Sequence, residues 1–169
     1  VDDFNASPIL SKEHLEAAFA AYEDIGIRAL VGPTLFDIPF HESVPPLTEE
    51  CDVDLLSAFK PKKATPIHEY MDLLESFTNT RHPHTNRVGI IMAPSAPQRC
   101  SDRLLMQVRA FADQHNLPTI IHVQETRLQA SSAWREHGKT LFEYLDDLGF
   151  LAPATSLIHS VWLTSDDIK

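Results

Sequence analysis

An α/β fold built on parallel strands is predicted by three observations. Short aliphatic runs recur at Ile27-Arg-Ala-Leu-Val31, Val88-Gly-Ile-Ile-Met-Ala93, Pro118-Thr-Ile-Ile-His-Val123 and Ser156-Leu-Ile-His-Ser-Val161. They are apolar without strict alternation, as strands buried on both faces are. Helical patterns separate them, and the first helix passes into its strand after a one-residue break, the return half of a βαβ unit. Finally, His122 and His159 stand at matching places in successive runs, near the strand ends where such proteins collect polar chemistry.

The elements follow in order. Ser11 is placed to cap a helix with Glu13 in its first turn, and Leu15, Ala18, Phe19, Tyr22 and Ile25 form its apolar face. Gly26 stops it, and the strand 27–31 runs to Gly32-Pro33. Residues 36–66 carry five prolines and an acidic group between them, with a short helix expected over Val53–Phe59. A connection of this length in an α/β domain reads as a functional loop or lid.

Thr65-Pro66 has the form of an N-cap followed by proline at the first helical position, opening a helix with Ile67, Met71, Leu74 and Thr78 on one face. A polar loop leads to the strand 88–93. Ser101 and Asp102 open a helix in which Leu104, Leu105, Val108, Phe111 and Ala112 share an apolar face, closed before Asn116-Leu-Pro118. After the strand 118–123 comes a connection containing Ser131, Ser132 and Gly138, then a helix through Leu141, Tyr144, Leu145 and Leu148 ending at Gly149. The strand 156–161 follows. Thr164 and Asp167 have capping-box spacing with little chain after them, and Val1 is no initiator, so both ends are expected to be cut from a longer protein.

Composition narrows the partners. At 169 residues and 43% hydrophobic, one domain with a substantial core is expected over 1–169. Fourteen basic against twenty-four acidic residues give a net charge of -10, which excludes phosphate-led nucleic-acid binding. No run of eighteen apolar residues is present, so no membrane-spanning helix is expected. Cys51 and Cys100 are isolated from one another, which fits a reducing, cytoplasmic compartment better than a disulfide framework.

Several residues could carry chemistry. Parallel neighbouring strands would bring His122 and His159 to one rim, where a neutral imidazole serves as metal ligand or general base; two packed core histidines are the competing reading. Glu125, three residues on, would open the following loop beside any bound water as a proton carrier, or else be a surface glutamate. In Ala93-Pro-Ser-Ala-Pro-Gln-Arg-Cys-Ser101 two prolines stiffen a loop from which Gln98 and Arg99 could meet polar substrate groups. His82-Pro-His84 lies on the opposite, amino-terminal side and reads as solvent-exposed; Arg28 reads as structural. Gly138-Lys-Thr140 lacks the earlier glycine and the preceding strand of a phosphate loop, and no Gly-x-Gly-x-x-Gly follows any strand. A singly wound barrel segment and an open parallel sheet both remain.

Four segments in this order, Ala93-Pro-Ser-Ala-Pro-Gln-Arg-Cys-Ser-Asp102, Ile121-His-Val-Gln-Glu-Thr126, Tyr144-Leu-Asp-Asp-Leu-Gly149 and Ile158-His-Ser-Val-Trp-Leu-Thr164, resemble the metal-dependent amidohydrolase superfamily. Within it they are similar to the aminohydrolase and chlorohydrolase branch that acts on purines, pyrimidines and triazines. The resemblance implies a partial (β/α)8 TIM barrel, roughly its third to sixth strands. It implies that His122 is a metal ligand, Glu125 the neighbouring acid/base and His159 the residue that orients water or substrate. Ser95 stands where this branch commonly has histidine, so Ser95, Gln98 and Arg99 would define a different substrate pocket.

The implied cofactor is one divalent metal, zinc before iron, and the implied partner a small polar heterocycle. The first-strand His-x-His pair and eighth-strand aspartate of the family lie outside this sequence, so the isolated segment is expected to be inactive. Deamination is the favoured reaction of the parent protein, with chlorohydrolase or cyclic amidase activity as the alternative within the class and a non-catalytic α/β interaction domain as the alternative outside it. An isolated barrel segment would expose apolar edges, which a second copy in a homo-oligomer or further chain would cover.

Overall fold

The computed structural model of the protein describes residues 1–4, 11–40, 42–43 and 66–169. Five helices are described: α1 (Lys12–Ile25), α2 (Ile67–Thr78), α3 (Asp102–His115), α4 (Arg127–His137) and α5 (Leu141–Asp147). The strands are β1 (Asp2–Phe4), β2 (Ala29–Leu35), β3 (Val88–Ile90), β4 (Ala93–Pro94), β5 (Thr119–Val123) and β6 (Thr155–His159), and a single 3-10 turn covers Pro97–Arg99.

Strand order follows chain order. β1 and β3 flank β2, and β4 continues alongside the second half of β2, pairing Thr34 with Ala93. The other edge of this stretch meets β5, where Met92 N donates to Pro118 O at 3.0 Å and Ile120 N to Met92 O at 2.8 Å. β5 then pairs with β6 from Thr119↔Thr155 to Val123↔His159. Every pairing is parallel and the order never reverses, which is single winding as in a barrel wall. Among the described residues the strands do not close into a barrel.

Alternation along the strands separates two apolar layers. Val31, Ile90, Met92, Ile121 and Val123 join the main core with helix residues such as Phe19 and Leu105. Leu30, Ile91, Ala93, Ile120 and Ile158 form a smaller cluster, assigned by their alternate positions to the concave face. β6 differs from the other strands. Its burial runs intermediate, exposed, intermediate, intermediate, exposed, as an edge strand's does.

Local chemistry explains most element ends. Ser11 accepts the His14 N–H at 3.3 Å and Ser101 that of Leu104 at 3.2 Å, as their N-cap positions require. Gly138 closes α4 in the left-handed region, and Thr140 opens α5 with a complete capping box to Glu143, so the Gly138-Lys-Thr140 triplet is the joint between two helices. Thr164 and Asp167 also bond reciprocally, with Asp167 N–H donating to Thr164 Oγ1 at 3.2 Å and Thr164 N–H to Asp167 Oδ2 at 2.7 Å.

Several sequence expectations are corrected. β2 continues through Gly32-Pro33 to Leu35. Gly32 is there for close approach, since a Cβ on it would stand 2.6 Å from Ile91 O and 2.7 Å from Ala93 Cβ. β1 was not anticipated. The run 88–93 is two short strands, because Met92 turns its hydrogen bonds from β2 to β5. β6 ends at His159, where the backbone becomes left-handed, two residues before the expected end.

α4 occupies what read as a connection. Ala133 is the one residue on it that is fully inside, so its apolar stripe is too thin to show in the sequence. α2 starts at Ile67 with Pro66 in the cap position and no side-chain cap bond. Thr65, the helix expected over Val53–Phe59, most of the 36–66 loop and Cys51 lie outside the described residues. No helix among the described residues is long and apolar enough to cross a membrane.

His82 is half-buried rather than exposed, with Nε2 3.0 Å from the His115 carbonyl, so it ties the loop before β3 to the end of α3. His84 is exposed, and Arg28 stands exposed one residue before β2. Cys100 is buried, and its thiol donates to Leu35 O at 3.4 Å. Burial pushes that thiol from 9.0 up to about 12.

The folded state therefore holds the Cys100 proton more tightly than the unfolded chain does. Stability from this group is complete below about pH 9 and declines as pH rises toward about 12. Urea titrations at pH 8 and pH 10.5 should show that decline, and Cys100→Ala should flatten it. An equal slope in both proteins would refute the assignment.

Candidate active site

The carboxyl ends of β4, β5 and β6 meet at one rim. His122, the fourth residue of β5, donates its backbone N–H to Ser95 O at 3.1 Å and also places ring Nδ1 2.8 Å from the same oxygen. A carbonyl only accepts, so Nδ1 carries the proton. The neutral ring then has its lone pair on Nε2, the state of a metal-ligating histidine oriented by a backbone carbonyl.

Strict alternation would send residues 122 and 125 to opposite faces of the strand. The chain avoids this at Gln124, which is left-handed at φ 49. Val123 and Gln124 are both buried, and Glu125 emerges into the same cleft as His122. The Glu125 N–H is held by Gln129 Oε1 at 2.8 Å. From β6, His159 Nε2 comes within 3.8 Å of Glu125 Oε1, and the His159 and His122 rings lie 5.4 Å apart between centroids. His159 and Ser160 are left-handed as well, at φ 68 and 51. Non-glycine residues in that region cost about 1–2 kcal/mol each, and such strain gathers at functional sites.

The cleft measures about 480 Å³, within the range of small-molecule sites. Ser95, Gln98 and Arg99 line it with His122 and Glu125, so five of the six sequence-selected residues share one wall system while His159 stands against Glu125 at its edge. Gln98 Oε1 is buried without a hydrogen-bond partner among the described residues. Arg99 donates Nε–H to Ile38 O at 2.9 Å, and its guanidinium lies 4.3 Å from the Phe36 ring centre. Burial pulls it below the ordinary guanidinium range. Its terminal nitrogens are the remaining donors of that side chain.

Other residues that shape the site gave weaker signals in the sequence. Asp37 accepts both the Ser101 N–H at 2.7 Å and the Ser101 hydroxyl at 2.5 Å, fastening the start of the 36–66 loop to α3. Thr126 accepts the Gln129 N–H at 3.2 Å, and Thr-x-x-Gln is a cap pattern that could have revealed α4. Gln124 had no signal at all.

A catalytic zinc site draws three ligands from its protein. Among the described residues no group of three or more His, Cys, Asp or Glu side chains could hold a metal ion. His122 has the chemistry of one such ligand, and the described residues do not complete a centre by themselves.

A model of the Amidohydrolase family matches residues 1–169. Over 156 residues the chain is 31% identical to a 5-methylthioadenosine/S-adenosylhomocysteine deaminase of Thermococcus sibiricus, covering 92% of this chain and 32% of that protein. It is 30% identical to a 5'-deoxyadenosine deaminase of Methanosphaera stadtmanae over the same shares. Among solved structures, an adenosine deaminase from Xanthomonas campestris with bound zinc superposes with TM-score 0.70 at 24% identity, over 90% of this chain and 30% of that one. A guanine deaminase from C. acetobutylicum gives TM-score 0.70 at 18% identity, over 95% and 34%. The chain thus spans about a third of the length of the relatives it matches.

Proposed function

Because this chain belongs to the amidohydrolase family, we propose that it forms the central part, about the third to the sixth strand, of a cytoplasmic (β/α)8 hydrolase that deaminates a nitrogen heterocycle. The observation that carries the reading is the convergence of His122, Glu125 and His159 from adjacent parallel strand ends, with 3.8 Å between the His159 ring and the Glu125 carboxylate. A divalent metal, zinc before iron, supplies Lewis-acid activation of water when bound, and His122 Nε2 would be one of its ligands.

The remaining work falls to this chain's side chains. Hydrolytic deamination adds water to the ring carbon, forms a C–O bond, breaks the C–N bond and releases ammonia. Glu125 takes the proton from the attacking water and returns it to the departing nitrogen. His159, beside that carboxylate, orients the water and donates to the developing oxyanion. Ser95, Gln98 and the terminal nitrogens of Arg99 hold the polar edge of the heterocycle.

Halide removal from a triazine, or opening of a cyclic amide, would use the same groups with a different leaving group. The shortage of ligands among the described residues favours a second reading, a non-catalytic α/β domain. Metal analysis of the full-length protein, with an ammonia-release assay on purines, pyrimidines and triazines, separates the two. About one metal per chain with turnover supports the hydrolase. A metal-free protein without turnover leaves the interaction domain.

A further inference from the structure

We propose that Gln124 is the positioning residue of this rim: it fixes where Glu125 and His159 stand relative to one another. Three elements meet on this one side chain. Its Nε2 donates to Trp162 O at 2.6 Å, and its Oε1 accepts the N–H of Leu141, the first residue of α5, at 3.3 Å. Its own carbonyl accepts the N–H groups of Val161 at 3.2 Å and Trp162 at 3.3 Å. The turn that follows His159 is therefore held from both the backbone and the side chain of the residue just past the neighbouring strand.

Burial makes the tie stringent. Gln124 is 1% exposed, so water cannot replace a lost partner, and every polar atom of its amide that is bonded is bonded to backbone. Its left-handed conformation is what turns Glu125 into the cleft, and the same residue clamps the turn on which His159 depends. Gln124 lines no part of the cleft and makes no contact with the reacting groups, so its influence passes through Glu125 and His159.

The inference rests on the proposed hydrolase only for its effect on turnover; its geometric content can be read without activity. Gln124→Met keeps length and bulk and removes both side-chain bonds. Gln124→Leu also removes both, with a shorter, branched side chain. In full-length protein whose other tryptophans, Trp134 among them, are replaced by phenylalanine, acrylamide quenching of Trp162 reports whether the turn has loosened. With histidine-labelled protein, cross-relaxation between the His122 and His159 rings reports whether the rim has kept its shape, at a starting centroid separation of 5.4 Å.

In both variants, shown to be folded by circular dichroism, quenching should rise at least twofold and the ring-to-ring signal should disappear. In the full-length enzyme kcat should fall about 10²-fold, the scale of a displacement near 1 Å, with KM changed less than about threefold. A folded variant that keeps the ring-to-ring signal overturns the proposal. So does one that loses it with kcat unchanged, since Gln124 would then be a structural tie alone. Absence of turnover in the unmutated full-length protein overturns the hydrolase reading instead, and the ring-to-ring signal still decides the role of Gln124.

Discussion

Glu125→Gln is expected to lower turnover of the full-length protein by roughly 10²–10⁴-fold, the usual contribution of a positioned acid/base. Metal content should stay near that of the unmutated protein. The substitution keeps the shape of the side chain and its place in the cleft, and it removes the basic oxygen that faces His159 at 3.8 Å. A ligand role would predict something else: loss of the metal together with the activity. Steady-state kinetics with elemental analysis on the same preparation tells the two apart. Turnover within tenfold of the parent would remove Glu125 from the proton path.

Gly32→Ala is the substitution expected to cost most stability, about 3 kcal/mol. The added methyl would meet Ile91 O at 2.6 Å and Ala93 Cβ at 2.7 Å, and backbone between paired strands cannot move aside as a flexible side chain can. Domains of this kind hold only about 5–15 kcal/mol in total. The strand that must yield leads into Ser95, whose carbonyl orients His122, so the loss should reach the site. Urea unfolding measures the first effect. Gly26→Ala is the control: it has open space around its Cβ and should cost only about 1 kcal/mol, for its left-handed backbone. Similar losses at the two glycines would show that close approach at Gly32 is not the cause.

What could be read from the sequence was what chain-local chemistry writes into it. Ser11 and Ser101 were legible as caps because a side-chain oxygen next to an apolar helical run has few other uses. β5 was legible because apolar residues buried on both faces leave no alternation to mislead. The shared rim of His122 and His159 followed from parallel pairing. The facing of Glu125 did not: its direction depends on a left-handed glutamine, a conformation few non-glycine residues adopt and that nothing in the neighbouring residues announces.

Gly32-Pro33 misled for a related reason. Both residue types punctuate chains, and only the neighbouring strand shows that here they allow contact. Part-buried ties such as Gln124 to Trp162 join residues 38 apart, beyond any periodicity. His82 was misplaced because its partner, the His115 carbonyl, is 33 residues away.

The strands' sequential order bears on how the molecule assembles. Each new strand joins one already laid down, β3 and β4 along β2, β5 through Met92 and β6 along β5, so during synthesis every new βα unit meets a surface that is already docked and none must thread between finished neighbours. Such growth leaves a gradient. In the 169-residue chain, amide protons of β2, β3 and β5 should exchange slowest, and those of β6 earliest, since its residues are half-exposed and the backbone beyond it is bent into an unfavourable region.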